Sequence, residues 1–264
     1  MKIRASTVAG MFYPGDPGRL RQLLSELFRN VPCSGDAAGV VSPHAGYVYS
    51  GRTAATAFAA FDEKFEGTFL VIGPSHRGFP TCISQIPWET PLGILEPDTE
   101  LGSYIDLPVD ERAMGYGTEN SLEVQMPFIQ FRFPRSRIVP IMMGYQTLPE
   151  VHRISSVIIK ALEKYQKPVK IVASSDFSHY VSAEKAYRDD HYAIEALIHM
   201  DVAEFFSRIQ SHNITACGYG PIGCMIEVLK TRGKTRCDLL EYTTSGEVSG
   251  DYDQVVGYAA LAVR

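Results

Sequence analysis

The sequence predicts an α/β protein, a single-domain three-layer α/β/α sandwich around a mixed, largely parallel sheet. Apolar, β-prone segments alternate along the chain with amphipathic helical segments, which is the order typical of layered α/β folds. Several β-prone segments, such as residues 169–173, are almost continuously apolar, as central strands covered on both faces should be. No linker, repeat or low-complexity segment divides the 264 residues, so we expect one domain over residues 1–264.

The individual elements follow from these patterns. Helical periodicity predicts seven helices, in chain order at residues 19–29, 51–61, 121–131, 149–165, 183–199, 202–210 and 221–231. Apolar runs with β propensity predict seven strands, at residues 38–42, 68–73, 81–85, 137–142, 169–173, 237–243 and 255–263. The strands on either side of residues 77–80 look like an antiparallel pair, so we expect a mixed sheet.

Composition excludes several classes of function. The net charge is −5, and no stretch clusters Lys and Arg densely enough to follow a phosphate backbone, so nucleic acid is not an expected partner. Residues 1–6 lack the apolar core of a signal peptide, and no apolar run is long enough to span a membrane. The five cysteines are odd in number and form no Cys-x-x-Cys pair, which indicates a reducing cytoplasm rather than a disulfide framework.

Two histidines each follow a predicted strand. His44 lies in the string Ser-Pro-His-Ala-Gly-Tyr after the apolar residues 39–41, and His76 lies in Gly-Pro-Ser-His-Arg-Gly after residues 69–72. The crevice at the carboxyl ends of strands is where open α/β sheets usually bind ligands, so the two imidazoles can face one another there. A single loop histidine is more often a simple hydrogen-bonding group, but two at matched strand ends suggest a shared metal site.

A third strand end carries protonatable groups. In the string Ser-Ser-Asp-Phe-Ser-His-Tyr over residues 174–180, Asp176 could orient an imidazole or ligate a metal, and His179 could act as an acid, a base or a ligand. The alternative is that Asp176 and Ser178 cap the following segment, which leaves His179 without a role.

Two glutamates form the fourth candidate. Glu119 and Glu123 are four residues apart and would share one face of a helix. Asn120 could cap that helix, with Glu123 at the third helical position of a capping box, whereas Glu119 is free to reach the crevice and hold a ligand histidine. Pro127 should mark a bend or a change of direction.

Cys217 is the fifth candidate, because it precedes a glycine-rich turn that leads into a predicted helix. A thiol near a helix N-terminus is expected to have a lowered pKa and to be a better ligand and nucleophile. The glycines of residues 218–223 also spell Gly-x-Gly-x-x-Gly, but they lack the strand and helix context of a dinucleotide site. They are better explained as letting the backbone pass close to the cysteine, while Cys224, inside the helix, is better explained as core.

A serine hydrolase is a further alternative, since Ser75, Asp176 and His179 supply the residue types of a catalytic triad. The string around Ser75 has Arg77 where a nucleophile elbow requires glycine, which argues against this reading.

Taken together, these motifs resemble the Memo family, in prokaryotes also called AmmeMemoRadiSam system protein B. The resemblance spans the chain, from Ala-Gly-Met-Phe-Tyr-Pro at residues 9–14, through the two histidine strings, to Glu-Asn-Ser-Leu-Glu at 119–123, Ser-Ser-Asp-Phe-Ser-His at 174–179 and Cys-Gly-Tyr-Gly-Pro-Ile at 217–222. One position departs from the pattern of the animal family members, which have His where this chain has Asn120.

The resemblance implies a fold similar to that of the class III, extradiol-type non-haem iron dioxygenases. It implies that His44, His76 and Cys217 are metal ligands. It also implies that Asp176 and His179 lie in the same pocket, with His179 in the place of an acid–base histidine. Glu119 and Glu123 match the acidic pair of the family. We therefore expect Asp176, His179 and Glu119 to support catalysis beside the metal.

Two histidines and a thiolate leave the identity of the metal open. Two imidazoles with a carboxylate suit Fe(II), and replacing the carboxylate with a softer thiolate shifts the preference towards copper or zinc. We expect a mononuclear site, with iron first and copper or zinc as alternatives, that supports a redox reaction of unknown substrate.

Two other functions compete with a redox enzyme. One is a module that binds a peptide or a small ligand in the same crevice, because animal family members are linked to receptor signalling. The other is a zinc hydrolase, in which the metal lowers the pKa of a bound water. The prokaryotic family name also suggests AMMECR1-like and radical-SAM proteins as partners.

Overall fold

The computed structural model describes residues 2–117 and 119–264. Its strands are β1 (Gly39–Ser42), β2 (Thr68–Pro74), β3 (Cys82–Ile83), β4 (Trp88–Thr90), β5 (Gly93–Leu95), β6 (Arg137–Met143), β7 (Val169–Ser174), β8 (His179–Val181), β9 (Cys237–Thr244) and β10 (Val255–Val263). Its helices are α1 (Pro17–Leu27), α2 (Tyr47–Ala59), α3 (Thr99–Tyr104), α4 (Glu111–Met114), α5 (Met126–Arg132), α6 (Leu148–Lys164), α7 (Ala183–Ile198), α8 (Val202–Ser211), α9 (Tyr219–Thr231) and α10 (Gly246–Ser249).

One mixed sheet forms the centre of the molecule. Its strands lie in the order β3-β6-β2-β7-β1-β10-β8, and β9 pairs with β10. The four strands β6, β2, β7 and β1 are parallel, whereas β10 runs antiparallel to β1 and β3 runs antiparallel to β6. Strands β4 and β5 form a separate two-stranded sheet. The sheet is therefore mixed and largely parallel, as the sequence predicts.

Helices cover both faces of this sheet and create two apolar cores. In β2, Phe69 and Val71 point into a core that includes residues of α1, α2 and α5, whereas Leu70 and Ile72 point into a core that includes residues of α6, α7, α8 and α9. Side chains alternate between the faces of a strand, so β2 must be apolar at every position to fill both cores. The predicted three-layer α/β/α arrangement is confirmed.

The remaining differences from the predicted elements are local. The predicted strand at 81–85 is only two residues long and pairs with β6, which separates it from β2, so the two are not neighbours. The predicted helix at 121–131 begins as a 3-10 turn at Glu123–Gln125 and continues as α5, with Pro127 in the first turn, where a missing N–H costs nothing. Among the described residues, no helix is long and apolar enough to cross a bilayer.

The parallel strands also determine where the candidate residues gather. Because β1, β2, β7 and β6 run in one direction, the loops that follow them lie at the same edge of the sheet. His44 lies two residues after β1, His76 two residues after β2, and Asp176 two residues after β7. Cys217 reaches this edge from the segment between α8 and α9.

Candidate metal centre

His44, His76 and Cys217 come together at the carboxyl edge of the sheet. One ring nitrogen of each histidine and the Sγ of Cys217 all lie within 4.8 Å of one another. Sγ is 3.0 Å from Nε2 of His44, and the two imidazole rings meet edge to face with their centroids 5.1 Å apart. Three donors at these separations can share one cation, so the chain contains a candidate metal-binding group.

The ring of His44 is buried and held in one orientation. Its Nδ1 lies 2.9 Å from Oγ of Ser174, at the end of β7. That hydroxyl donates to the carbonyl of Ser121 at 2.5 Å and accepts from Nε2 of Gln125, so Nδ1 of His44 must carry the proton and donate. Nε2 of His44 is therefore left with its lone pair towards Cys217. Burial, and then the nearby charge of His76, hold the pKa of His44 well below its usual range.

His76 is oriented by a carboxylate instead. Glu119 accepts from the backbone N–H of His76 at 2.7 Å and contacts Nδ1 of the ring at 2.9 Å. Burial alone lowers the pKa of His76, but the hydrogen bond and the charge of Glu119 outweigh it and raise the pKa. Burial likewise opposes ionisation of Glu119, yet the hydrogen bond from His76 brings the pKa of that carboxyl to about 2. Glu119 thus holds a candidate ligand histidine, as expected from the sequence.

Cys217 is held by the backbone that follows β7. The N–H of Asp176 donates to Sγ at 3.3 Å, and the N–H of Cys217 donates to the carbonyl of Asp176 at 3.2 Å. Burial and the nearby Asp176 carboxylate raise the pKa of the thiol well above its usual value. The expectation of a lowered pKa was wrong, because burial outweighs the effect of the helix N-terminus in the protein without a cation.

Asp176 is a buried carboxyl group beside the ligand cluster. Its Oδ1 accepts from the backbone N–H of His44 at 2.7 Å, so it connects the loops after β1 and β7. Burial raises the pKa of Asp176 to about 6, although the hydrogen bond from His44 and the charge of His179 oppose the shift. The alternative explanation, that Asp176 and Ser178 cap the following segment, is not supported, since Ser178 donates to Asp190 and helix α7 is capped by Ser182.

His179 is half-buried and lies near the same cluster. Its backbone N–H donates to Oγ1 of Thr215 at 2.7 Å, and its Nδ1 lies 2.9 Å from the carbonyl of Thr215. A carbonyl only accepts, so Nδ1 carries the proton and Nε2 remains available to exchange one. The ring is close enough to His44 and Asp176 for its charge to affect the pKa values of both.

Glu123 has a structural role that the sequence did not reveal. Its carboxylate pairs with Arg4 at 2.6 Å and accepts from the backbone of Thr7 and Val8 and from the hydroxyl of Tyr13. The predicted capping box is therefore wrong, because Glu123 binds the N-terminal segment rather than the start of its own helix. The side chain of Asn120 likewise does not cap a helix but donates to the carbonyl of His44 at 2.9 Å.

The glycines after Cys217 allow close packing. A Cβ at Gly218 would lie 2.3 Å from the carbonyl oxygen of Ser174, and one at Gly223 would lie 3.1 Å from the ring of Phe206. This supports the packing explanation of the Gly-x-Gly-x-x-Gly string.

Oγ of Ser75 accepts from the backbone of Phe79 while His179 contacts Thr215, so these described contacts do not link the two as a catalytic triad would require.

The donor set fits a transition metal. Each of the two histidines gives its Nδ1 proton to a protein acceptor, which fixes the ring and leaves Nε2 as the ligand atom, as is usual for metal-bound histidine. Two imidazoles and a thiol suit iron, copper or zinc and are unlike the oxygen-only sites of magnesium or calcium. Ser174 and Gln125, which orient His44, were not singled out from the sequence, although Ser174 lies in the same string as Asp176.

Comparison with known proteins identifies the family of this chain. The sequence model of the Memo family, described as Memo-like protein, matches residues 4–262. A MEMO1 family protein of Methanosarcina barkeri is 43% identical over 271 residues, which cover 99% of this chain and 100% of the relative. A MEMO1 family protein of Methanococcoides burtonii is 42% identical over 269 residues, covering 99% of this chain and 100% of the relative. One from Methanopyrus kandleri is 35% identical over 279 residues, covering 99% of each chain. The chain therefore belongs to the Memo family.

Proposed function

We propose that this protein is a metal-dependent redox protein whose mononuclear site is formed by His44, His76 and Cys217. One observation carries the proposal: the three side chains come from three separate segments, yet their donor atoms lie within 4.8 Å of one another. The hydrogen bonds that the two rings donate to Ser174 and Glu119 orient them for ligation, which a chance cluster of polar side chains would not require.

Iron is the cation we propose first, with copper and zinc as alternatives. When bound, iron or copper would supply one-electron chemistry, and the thiolate would give the site a more covalent character than a carboxylate does. Burial of His44 keeps its ring neutral, as ligation requires. Likeness to the extradiol dioxygenases stays a prediction, and the fold alone does not establish their reaction.

Asp176 and His179 are the groups that we propose to move protons beside the metal. Because the pKa of Asp176 is about 6, its carboxyl can change protonation near neutral pH. His179 exposes Nε2 while Thr215 holds its Nδ1 proton, so the ring can accept a proton without turning. Two such groups beside the ligand cluster suit proton-coupled chemistry better than simple binding.

The test is metal analysis of protein that was expressed and purified anaerobically without chelator. We expect close to one iron per chain, together with an electron paramagnetic resonance signal that changes between the oxidised and reduced protein. In the variants His44→Ala, His76→Ala and Cys217→Ala the metal content should fall at least tenfold, since each removes a ligand. Cys224→Ala and His152→Ala are matched controls, because neither residue belongs to the cluster.

The other outcomes are equally informative. Metal content that survives in a variant combining His44→Ala, His76→Ala and Cys217→Ala would rule out this site. Stoichiometric zinc together with hydrolysis of a test ester would favour the hydrolase. Peptide binding that is indifferent to chelator and to Cys217→Ala would favour the binding module.

A further inference from the structure

We propose that Gln146, together with the end of β7, positions Cys217 in the metal centre. This inference rests on the proposed metal site and extends it to a residue that follows β6, the fourth parallel strand. Strand β6 ends at Met143, and Gln146 follows three residues later, at the edge where β1, β2 and β7 present His44, His76 and Asp176.

The side-chain amide of Gln146 joins the two ends of the turn that carries the thiol. Its Nε2 donates to the carbonyl of Cys217 at 2.7 Å, and its Oε1 accepts from the backbone N–H of Gly220 at 2.8 Å. Helix α9 begins at Tyr219 and has no side-chain cap of its own. Gln146 therefore satisfies a first-turn N–H of this helix from a distant segment and binds the cysteine with the same amide.

The same turn is also held by the end of β7. Gly218 donates its N–H to Oγ of Ser175 at 2.9 Å, and its Cα approaches so closely that a Cβ would lie 2.3 Å from the carbonyl of Ser174. The turn over residues 217–220 is thus held both by the end of β7 and by Gln146. Because the end of β7 is rigid strand backbone, losing the contact with Gln146 should let the turn move relative to β7.

Gln146 is itself supported by the segment on which it lies. Gly144 donates its N–H to Oγ1 of Thr81 at 3.1 Å, and a Cβ at Gly144 would lie 2.4 Å from the carbonyl of Phe79. Thr147, the next residue, caps helix α6 by accepting from the N–H of Glu150. These contacts before and after Gln146 fix its backbone and so restrict the position of its side-chain amide. A residue that positions Cys217 needs this restriction.

His44 and His76 extend from central strands, whereas Cys217 lies in a turn between helices. Loss of the Gln146 amide should leave the imidazoles in place and let Sγ move away from them. Outer hydrogen bonds to metal ligands typically change affinity 10- to 100-fold. We therefore expect Gln146→Ala to weaken Co²⁺ binding by 10- to 100-fold and to reduce the sulfur-to-cobalt charge-transfer absorption.

The experiment titrates the full-length protein, free of metal, with Co²⁺ at pH 8 and records the absorption spectrum. Gln146→Glu separates the two contacts, because its carboxylate still accepts from Gly220 but cannot donate to Cys217. We expect it to bind Co²⁺ more weakly than the wild type, despite its added negative charge. Gln166→Ala is the matched control, since that exposed side chain donates to the carbonyl of Glu163, three residues earlier.

A Cys217→Ser background tests whether Gln146 acts through the cysteine. In this background, which lacks the sulfur band, Co²⁺ binding at millimolar concentration is measured from the paramagnetic shifts of the ring protons of His44 and His76. Gln146→Ala should change the affinity less than twofold in this background. An equal loss with and without Cys217 would show a general effect on the fold and overturn the inference.

Failure of the inference differs from failure of the proposed site. If Gln146→Ala binds Co²⁺ normally, the inference about Gln146 is overturned and the proposed metal site stands. The same holds if Gln146→Ala is impaired but Gln146→Glu binds Co²⁺ normally. A wild-type chain that binds Co²⁺ without the sulfur band, or not at all, overturns the proposed site as well. The melting temperature of each metal-free variant, expected within about 3 °C of the wild type, shows whether folding is intact.

Discussion

Sγ of Cys217 lies 3.0 Å from Nε2 of His44, although the two residues are 173 positions apart in the chain. The contact exists because the end of β7 holds both residues. Ser174 fixes the ring of His44, and the backbone of Asp176 fixes the thiol. One strand end therefore aligns a nitrogen donor and a sulfur donor from opposite ends of the sequence.

Metal affinity should rise with pH. Burial keeps Cys217 a thiol in the metal-free protein, so binding as a thiolate must release one proton. His44 is already neutral because its pKa is lowered, whereas the raised pKa of His76 means that a second proton must leave at acidic pH. We expect Co²⁺ affinity to rise about tenfold per pH unit near neutrality. At acidic pH, where His76 must also lose a proton, the affinity should change more steeply with pH. Titrations from pH 6 to 8.5 measure this slope.

The matched control for this pH dependence is Cys217→Ser. Its hydroxyl does not ionise in this range, so its slope should be smaller by about one proton. An unchanged slope in this variant would contradict sulfur ligation.

Ser174→Ala should weaken metal binding without removing a ligand. The change deprives Nδ1 of His44 of its acceptor, so the ring is free to turn and its Nε2 is no longer held towards Cys217. We expect a loss of 10- to 100-fold in Co²⁺ affinity. Ser136→Ala, a buried serine at the opposite edge of the sheet, is the control and should bind normally. Equal affinities of the two variants would argue that the hydrogen bond to His44 does not matter.

Glu123→Gln should be strongly destabilising. Arg4 and Glu123 are both buried, and an amide would leave the guanidinium without its counter-charge. Removing one partner of a buried ion pair costs about 3–5 kcal/mol, which denaturant unfolding would detect. Glu66→Gln, in an exposed pair with Arg135, should change the free energy of unfolding by less than about 1 kcal/mol. A small effect of Glu123→Gln would mean that the N-terminal segment is not held by this carboxylate.

The lowered pKa of Glu123 also predicts how the stability of the protein changes with pH. Although burial opposes it, the contacts with Arg4 and with the backbone lower the pKa of Glu123 below its unfolded value. Its contribution is therefore present above the unfolded pKa and is lost as the pH falls through the folded one. Glu123→Gln should remove that part of the acid dependence.

Gly218→Ala should disturb the metal centre through the backbone. The added Cβ would lie 2.3 Å from the carbonyl of Ser174, so the turn that carries Cys217 must move away from β7. We expect destabilisation of about 1–3 kcal/mol together with weakened Co²⁺ binding. Gly15→Ala, whose Cβ would meet ordinary contacts at 3.5 Å or more, should have neither effect. Normal metal binding by Gly218→Ala would show that the turn tolerates displacement.

The long elements could be predicted because local pattern and burial agree. Apolar runs mark β2, β6 and β7, and a 17-residue amphipathic pattern marks α6. Short elements were missed. Strands β4 and β5 have three residues each, and β8 contains a bulge in which His179 and Val181 pair with adjacent residues of β10 while Tyr180 adopts a φ of 56°. Elements of this length depend on tertiary contacts more than on their own periodicity.

The candidate ligands were predictable for a similar reason, since His44 and His76 follow recognisable strands. Their supporting residues were not. Ser174, Gln125 and Gln146 act through hydrogen bonds to segments 49 to 130 positions away, and a serine or glutamine in a loop gives no local signal of that. Glu123 was misassigned because a capping box is a local explanation, whereas the partners of Glu123 lie more than 100 positions earlier in the chain.

The different supports of the three ligands have a consequence for ion selection. Both imidazoles lie two residues after central strands that are packed between two apolar layers, so a displacement of a few tenths of an ångström at either strand end must be shared with those layers. The sulfur is attached to a short connection between helices. Discrimination between ions of different radius would then depend mainly on the flexibility of that connection. Relatives with a common histidine pair could therefore differ in metal preference through substitutions around the cysteine alone.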